Sequence, residues 1–191
     1  MRRSPGQLTL AFPPDSAAAT AAFAEARNAA RVCRACRLWE PATQTVFGEG
    51  PVPAPAMLIG EQPGDKEDRA GQPFVGPAGA KLNEALEEAG ISRKEVYVTN
   101  AVKHFKYVPR GRIRLHQKPV TAEIEACRQW IERELDFVQP KAVAVVGATA
   151  AQALIAIHPS YILRIQEPAD AEAEYARFVA DLRLLLPFLS L

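Results

Sequence analysis

The residues from Lys103 to Lys118, Lys-His-Phe-Lys-Tyr-Val-Pro-Arg-Gly-Arg-Ile-Arg-Leu-His-Gln-Lys, carry six Lys or Arg and no acid, in a chain with a formal net charge of only +1. Positive charge is therefore gathered on one loop, and such a loop suits a polyanion. An isolated basic run is more often a solvated surface. This one gains weight from its setting between the Thr99-Asn100 strand end and Cys127.

Three cysteines, an odd number, argue against a disulfide framework and toward a metal site or buried thiols. Cys33-Arg-Ala-Cys36 follows an alanine-rich helix expected from Ser16 to Arg31, whereas a thioredoxin-type dithiol would follow a strand. The other soft ligands are Cys127 and His104. Together the four could close one tetrahedral site, and zinc or an iron–sulfur cluster would each accept the set. The competing reading leaves His104 and Cys127 as bystanders.

Alternating strands and helices must position these groups. Ala56–Gly60 is a short apolar run ending in a glycine-rich turn, and Ala78–Ala89 repeats apolar residues at helical spacing before Gly90. Val96–Thr99 is a second strand. Thr121–Phe137 is an amphipathic helix with Ile124, Cys127, Ile131 and Leu135 on one face, and Ala142–Val146 is a third strand with no polar alternation, as expected when both faces are covered. Ala169–Leu186 closes the chain as a helix. The pattern predicts a three-layer α/β/α fold around a mainly parallel sheet, with a ligand site beyond the strand ends at Gly60–Asp65, Asn100 and Gly147. Near the end the pattern is short: either Ala148–Ile155 is a helix and a following strand is absent, or the last strand is compressed.

With 191 residues and 48% hydrophobic content, one domain spanning 1–191 is expected, with 1–15 as a poorly ordered N-terminal segment. Sixteen prolines mark long ordered loops. No run approaches the roughly 20 apolar residues of a membrane span, and Met-Arg-Arg-Ser-Pro is followed by no apolar stretch of a signal peptide. A cytoplasmic protein, monomeric and without a membrane partner, is expected.

Five ordered motifs resemble the uracil-DNA glycosylase superfamily: Gly60-Glu-Gln-Pro-Gly-Asp-Lys-Glu-Asp68, Pro73-Phe-Val-Gly-Pro-Ala-Gly79, Val98-Thr-Asn-Ala-Val-Lys-His104, Val146-Gly-Ala-Thr-Ala150 and His158-Pro-Ser-Tyr-Ile-Leu-Arg164. The resemblance runs from about Cys33 to about Arg164 and is closest to the UdgX branch, a neighbour of the family 4 enzymes. It implies uracil-containing DNA, single- or double-stranded, as partner. It also implies a uracil pocket in which Gly60 to Gln62 and Asp65 meet the base, Phe74 stacks on it and Asn100 reads its polar edge. His158 would face the oxygen that gains charge as the glycosidic bond breaks, and Arg112, Arg114, Lys118, Ser160 and Arg164 would meet DNA. An amide offers donor and acceptor together, as a uracil edge needs, and the base must leave the duplex to enter such a pocket.

The branch carries an inserted basic loop ending in histidine. Here Arg112-Ile-Arg-Leu-His116 departs from its usual Lys-Arg-Arg-Ile-His at the first, second and fourth positions and keeps the histidine. By resemblance His116 attacks the anomeric carbon after uracil departs and leaves protein joined to DNA, with Glu61 orienting it or steadying the sugar cation. Neutral imidazole is a competent nucleophile near neutral pH. Gln62 stands where many glycosylases hold a water-activating acid, so the reaction is expected to stop at the adduct. The resemblance also assigns Cys33, Cys36, His104 and Cys127 to a [4Fe-4S] cluster of structural role, His104 replacing a family 4 cysteine. The family normally has more chain, including a strand, before His-Pro-Ser.

Overall fold

A computed structural model describes residues 17–155, 162–165 and 171–189, with side chains described for 17–153 and 175–189; the expected N-terminal segment 1–15 lies outside them. The elements are α1 (Ala17–Arg31), β1 (Ala56–Gly60), α2 (Asp65–Ala70), α3 (Pro77–Glu88), β2 (Val96–Asn100), β3 (Tyr107–Arg110), β4 (Ile113–His116), α4 (Thr121–Val138), β5 (Ala142–Val146), α5 (Ala148–Ile155), β6 (Ile162–Ile165), α6 (Ala171–Arg183) and the single turn α7 (Leu186–Leu189).

Four strands pair in the order β2-β1-β5-β6, all parallel. Successive side chains of a strand point to opposite faces, and this sheet fills both. Met57, Ile59, Tyr97, Val143 and Val145 pack with Ile124, Cys127 and Ile131 of α4. Ala56, Leu58, Val96, Val98 and Ala144 pack with Leu82 and Leu86 of α3 and Val179 and Leu182 of α6. Helices on both faces of a parallel sheet make the three expected layers, and burial on both sides explains why β1 and β5 read as unbroken apolar runs.

Four expectations are corrected. The shortage near the end resolves into both elements: α5 is followed by β6, whose Ile162 pairs with Val143. Fifteen residues of chain separate Val146 from Ile162, enough for the roughly dozen that a parallel connection requires. The fourth strand is thus built from residues after His158-Pro-Ser160, not before them. The closing helix divides into α6 and α7, because Pro187 lacks an N–H and its ring would strike the carbonyl of Arg183 in a continuous helix. The glycine-rich turn after β1 contains α2, too short to show a period. Its start is held by the Glu67 carboxylate, which accepts from the amides of Gly64 at 3.1 Å and Gly76 at 2.6 Å.

The fourth correction concerns the basic loop, which is an antiparallel hairpin. Tyr107 pairs with His116 and Arg110 with Ile113. The two-residue turn begins with Gly111 at φ +60°, a left-handed conformation that favours glycine and matches the twist of a tight hairpin.

Candidate active site

The parallel register sets Gly60 beside Asn100 at the carboxyl ends of β1 and β2. The ladder continues past them, with the amide of Ala101 donating to the Gly60 carbonyl at 2.8 Å and that of Val102 to the Glu61 carbonyl at 3.0 Å. A Cβ at position 60 would lie 2.6 Å from Asn100 Oδ1 and 2.8 Å from the Phe74 ring. Glycine is what lets the amide and the ring converge. Phe74 itself has φ +57°, a backbone state that costs a non-glycine residue about 1–3 kcal/mol and persists only where surroundings impose it. The imposing surface is α3, whose Gly79 sits so close beneath the Phe74 carbonyl that a Cβ there would come within 1.8 Å of it. The cavity so formed holds about 440 Å³ and is lined by Gln62, Asp65, Phe74, Pro77, Asn100 and His116, among others.

Behind Asn100 lies a buried ion pair that sequence reasoning missed. Lys103, expected in the exposed basic run, is fully buried, as is Glu134. Lys103 Nζ donates to Glu134 Oε2 at 2.6 Å, Thr99 Oγ1 at 2.6 Å and the Asn100 carbonyl at 2.8 Å. Glu134 also accepts from the Gly48 amide at 2.8 Å and the Tyr97 hydroxyl at 3.1 Å. Burial, together with this carboxylate, raises the Tyr97 phenol well above its ordinary value. A buried pair survives only when its remaining hydrogen-bonding capacity is met, and here the three Lys103 protons each have an acceptor. The available signal was Glu134 itself, a carboxylate three residues from Ile131 and seven from Cys127 on the apolar face of α4.

The hairpin forms the side of the cavity. Gln62 Nε2 donates to the Gln117 carbonyl at 2.9 Å and the Lys106 carbonyl at 3.3 Å, while Oε1 accepts from the Lys106 amide at 2.9 Å. Its side chain therefore clamps both roots of the hairpin, although the residue also lines the cavity. Arg114, expected on phosphate, is only 14% exposed and pairs with Asp65 and, at 2.5 Å, with Asp68. Its guanidinium also lies over the rings of Phe105 and Tyr107, 5.3 and 5.0 Å from their centroids. Asp65, expected on the base, lines the cavity but is held by arginines. Arg69 first and Arg114 second draw its carboxyl below the ordinary value. Lys106 pairs with Glu123 at 2.8 Å. Of the six basic residues, only Arg110, Arg112 and Lys118 are exposed without an ion pair among the described residues.

His116 closes β4 at the mouth of the cavity, its Nε2 3.3 Å from Glu61 Oε1. Glu61 is braced from behind by Thr149, whose hydroxyl donates to Oε2 at 2.5 Å. Thr149 follows Gly147 at the carboxyl end of β5, so a third strand end supports the histidine. His158 and Ser160 lie outside the described residues. Arg164 stands in β6 opposite Val145, its side chain outside the described set.

On the α4 side of the sheet, Cys36 packs against the cluster that holds Cys127, and its thiol is influenced by Cys127 and His104. Those neighbours, Cys127 first, draw it down to about 5 against the opposing effect of burial. Cys127 is pushed up by Cys36 and by its own burial. His104 Nε2 lies 2.9 Å from Thr45 Oγ1, and Cys33 Sγ accepts from the Trp130 indole at 3.3 Å. Three thiols and an imidazole form a donor set suited to a soft metal centre. The set is open: Cys33 is turned to Trp130, and among the described residues no three His, Cys, Asp or Glu side chains form a group that could hold a metal ion.

A parallel α/β domain whose strand ends open on a cavity walled by an aromatic ring, an amide and a histidine places this chain among α/β proteins with a ligand site at the carboxyl edge of the sheet. The chain belongs to the uracil DNA glycosylase superfamily, whose sequence model matches residues 47–183. It is 38% identical over 116 residues to a type-4 uracil-DNA glycosylase of Sulfurisphaera tokodaii, covering 60% of this chain and 50% of that one. To the type-4 enzyme of Thermotoga maritima it is 37% identical over 118 residues, covering 62% and 58%. To a type-5 uracil-DNA glycosylase of Thermus thermophilus it is 32% identical over 164 residues, covering 71% of each. The chain thus spans little more than half the length of the type-4 relatives.

Proposed function

We propose that this protein excises uracil from DNA and then joins the exposed deoxyribose to His116, as in the UdgX branch. The observation that carries the proposal is the placement of His116 against Glu61 at the mouth of the cavity that holds Asn100 and Phe74. Asn100 can donate through Nδ2 to uracil O4 and accept through Oδ1 from N3–H, a pairing that cytosine inverts. Phe74 offers a face for the ring, and Gly60 leaves the base room beside them. The glycosidic bond breaks with its electron pair on uracil, leaving an oxocarbenium-like sugar. By the resemblance alone, His158 steadies the departing oxygen.

Glu61 then has two tasks. Its negative charge lies beside the mouth where the sugar cation forms, and it holds a proton on His116 Nε2, which leaves the lone pair on Nδ1. Nδ1 attacks C1′, forming the C–N bond, and the resulting imidazolium releases its Nε2 proton toward Glu61 and solvent. Water competes poorly, because Gln62 replaces an activating acid and its amide is occupied by the hairpin roots. Arg112 and Lys118 meet phosphate, and Arg114 serves by holding the hairpin. Cys33, Cys36, His104 and Cys127 would hold a [4Fe-4S] cluster, which ties the end of α1, the segment after β2 and α4 together; Cys33 must turn from Trp130 to join it.

Denaturing electrophoresis after incubation with uracil-containing single-stranded DNA tests the proposal. A heat-stable shifted band that appears only with uracil is expected. Free uracil and an abasic strand without the band would identify a turnover glycosylase, and salt-dependent binding without uracil loss would identify a non-catalytic DNA-binding module.

A further inference from the structure

The two faces of the hairpin differ. Tyr107, Pro109, Arg114 and His116 share the face turned to α2 and the cavity, by the pairings Tyr107 with His116 and Pro109 with Arg114. Val108, Arg110, Ile113 and Leu115 share the other, by the pairings Val108 with Leu115 and Arg110 with Ile113. That outer face carries three large apolar side chains in solvent: Val108 is 44% exposed, Ile113 67% and Leu115 44%. A two-stranded ribbon gains nothing from leaving such residues in water. Arg110 on the same face and Arg112 in the turn are exposed and unpaired among the described residues, so the apolar strip is framed by free positive charge.

We infer that this outer face is a wedge that enters the duplex beside the extruded nucleotide, with Leu115 and Ile113 against the unstacked bases and Arg110 and Arg112 on the flanking phosphates. The inference rests on the uracil reading above and extends it to the DNA that surrounds the base. A ribbon one layer thick separates what its two faces touch. If His116 on the inner face meets the extruded sugar, the outer face is turned toward the stack the nucleotide has left. The dimensions agree: Leu115 is one residue from His116 and Ile113 is three, about 3.4 and 10 Å along a strand, or roughly one and three base steps. Extrusion leaves a gap and unstacked base faces, and aliphatic side chains are what proteins insert at such steps. Arg110 and Arg112, exposed and without an ion pair among the described residues, stand at the edge of the apolar strip and complement the phosphates that flank such a gap.

The test uses Ile113→Thr with Leu115→Thr, which keeps β-propensity at exposed positions. Two quantities are read: uracil release from duplex relative to single-stranded DNA, and the fluorescence of 2-aminopurine placed beside an abasic-site analogue in a duplex, on a His116→Ala background. Expected are a roughly tenfold fall in the duplex-to-single-strand ratio and loss of the fluorescence rise that the parent protein produces. An equal fall on both substrates would mean that the face only positions His116, and an unchanged ratio with the fluorescence rise intact would mean no wedge; either overturns the inference. So would the same losses from Val75→Ser, the exposed apolar residue beside Phe74, but not from the hairpin pair. A dimer in sedimentation that the double variant dissolves would assign the face to a second copy instead. Should the parent release no uracil from any substrate, the function above fails, while the fluorescence arm still reads the wedge.

Discussion

Asn100 and His116 face one cavity with opposite kinds of support. Asn100 ends β2, an edge strand of the sheet that is nonetheless buried along its whole length, and its carbonyl is held by Lys103, itself fixed by Glu134 in the core. His116 ends a two-stranded ribbon anchored to the rest of the protein through side chains, among them the Gln62 amide at its roots, the Lys106–Glu123 pair, the Tyr107 hydroxyl on the Pro41 carbonyl and the Arg114 ion pairs on its inner face. The difference is one of cost. A base-reading amide needs a fixed origin, and Lys103 holds the Asn100 backbone, from which the amide projects, in the part of the fold that cannot move without unfolding. A group that acts only after the base has left can sit on a peripheral element. Recognition and trapping should therefore fail separately.

The deepest break is at the floor. Glu134→Ala leaves the Lys103 ammonium buried without its counter-charge, and about 3–5 kcal/mol of stability should be lost, as when one partner of a buried pair is removed. Denaturant unfolding reads this. Lys103→Met with Glu134→Leu should recover much of the stability, since apolar replacement of a buried pair is often neutral or better. Uracil binding should stay weaker in that double variant, because nothing then holds the Asn100 carbonyl.

Breaking the hairpin's tether should spare stability and strike trapping. Arg114→Ala removes the ion pairs to Asp65 and Asp68, and a nucleophile displaced by about 1 Å can lose about a hundredfold in rate. Adduct formation timed on a denaturing gel should slow to that degree, while uracil release changes only severalfold. Equal losses in the two would erase the distinction between floor and hairpin.

The cysteine site sharpens the comparison from the other face of the sheet. Protein purified anaerobically should be brown, and Cys127→Ala should bleach it and lower the unfolding midpoint, since segments joined through a cluster lose that link. Colourless protein with stoichiometric zinc would replace the cluster by a zinc site. The smallest effect belongs to the hairpin's free charges. Arg112→Ala with Lys118→Ala should weaken binding alike with and without uracil, and reduce the log–log salt slope by about 0.9 for each duplex phosphate that is no longer neutralised. Anisotropy across a salt series, on a His116→Ala background, measures it.

The sheet could be read from the sequence because two-sided burial writes itself as apolar runs, and Gly60, Phe74, Asn100 and His116 could be named because their motifs are long. Lys103 and Arg114 were misplaced because charge in a sequence does not say whether it is matched. Both belong to a run without acids, yet each finds its carboxylates in distant segments, Glu134 in α4 and Asp65 and Asp68 in α2. Thr149 was missed for a related reason: its role exists only once the end of β5 is set beside Glu61. The hairpin was hidden in its own charge, with the Arg-Gly-Arg turn read as part of a basic loop.

Separate supports for Asn100 and His116 are tested most directly by His116→Ala on uracil-containing single-stranded DNA, with free uracil and protein–DNA adduct measured in the same reaction and the parent's adduct mapped by mass spectrometry of its proteolytic peptides. Expected are a deoxyribose remnant on His116 in the parent, and in the variant free uracil with no adduct. Undiminished adduct in the variant, or a remnant mapped to another residue, would contradict the assignment of the nucleophile, and loss of uracil release together with the adduct would show that recognition and trapping are not separate.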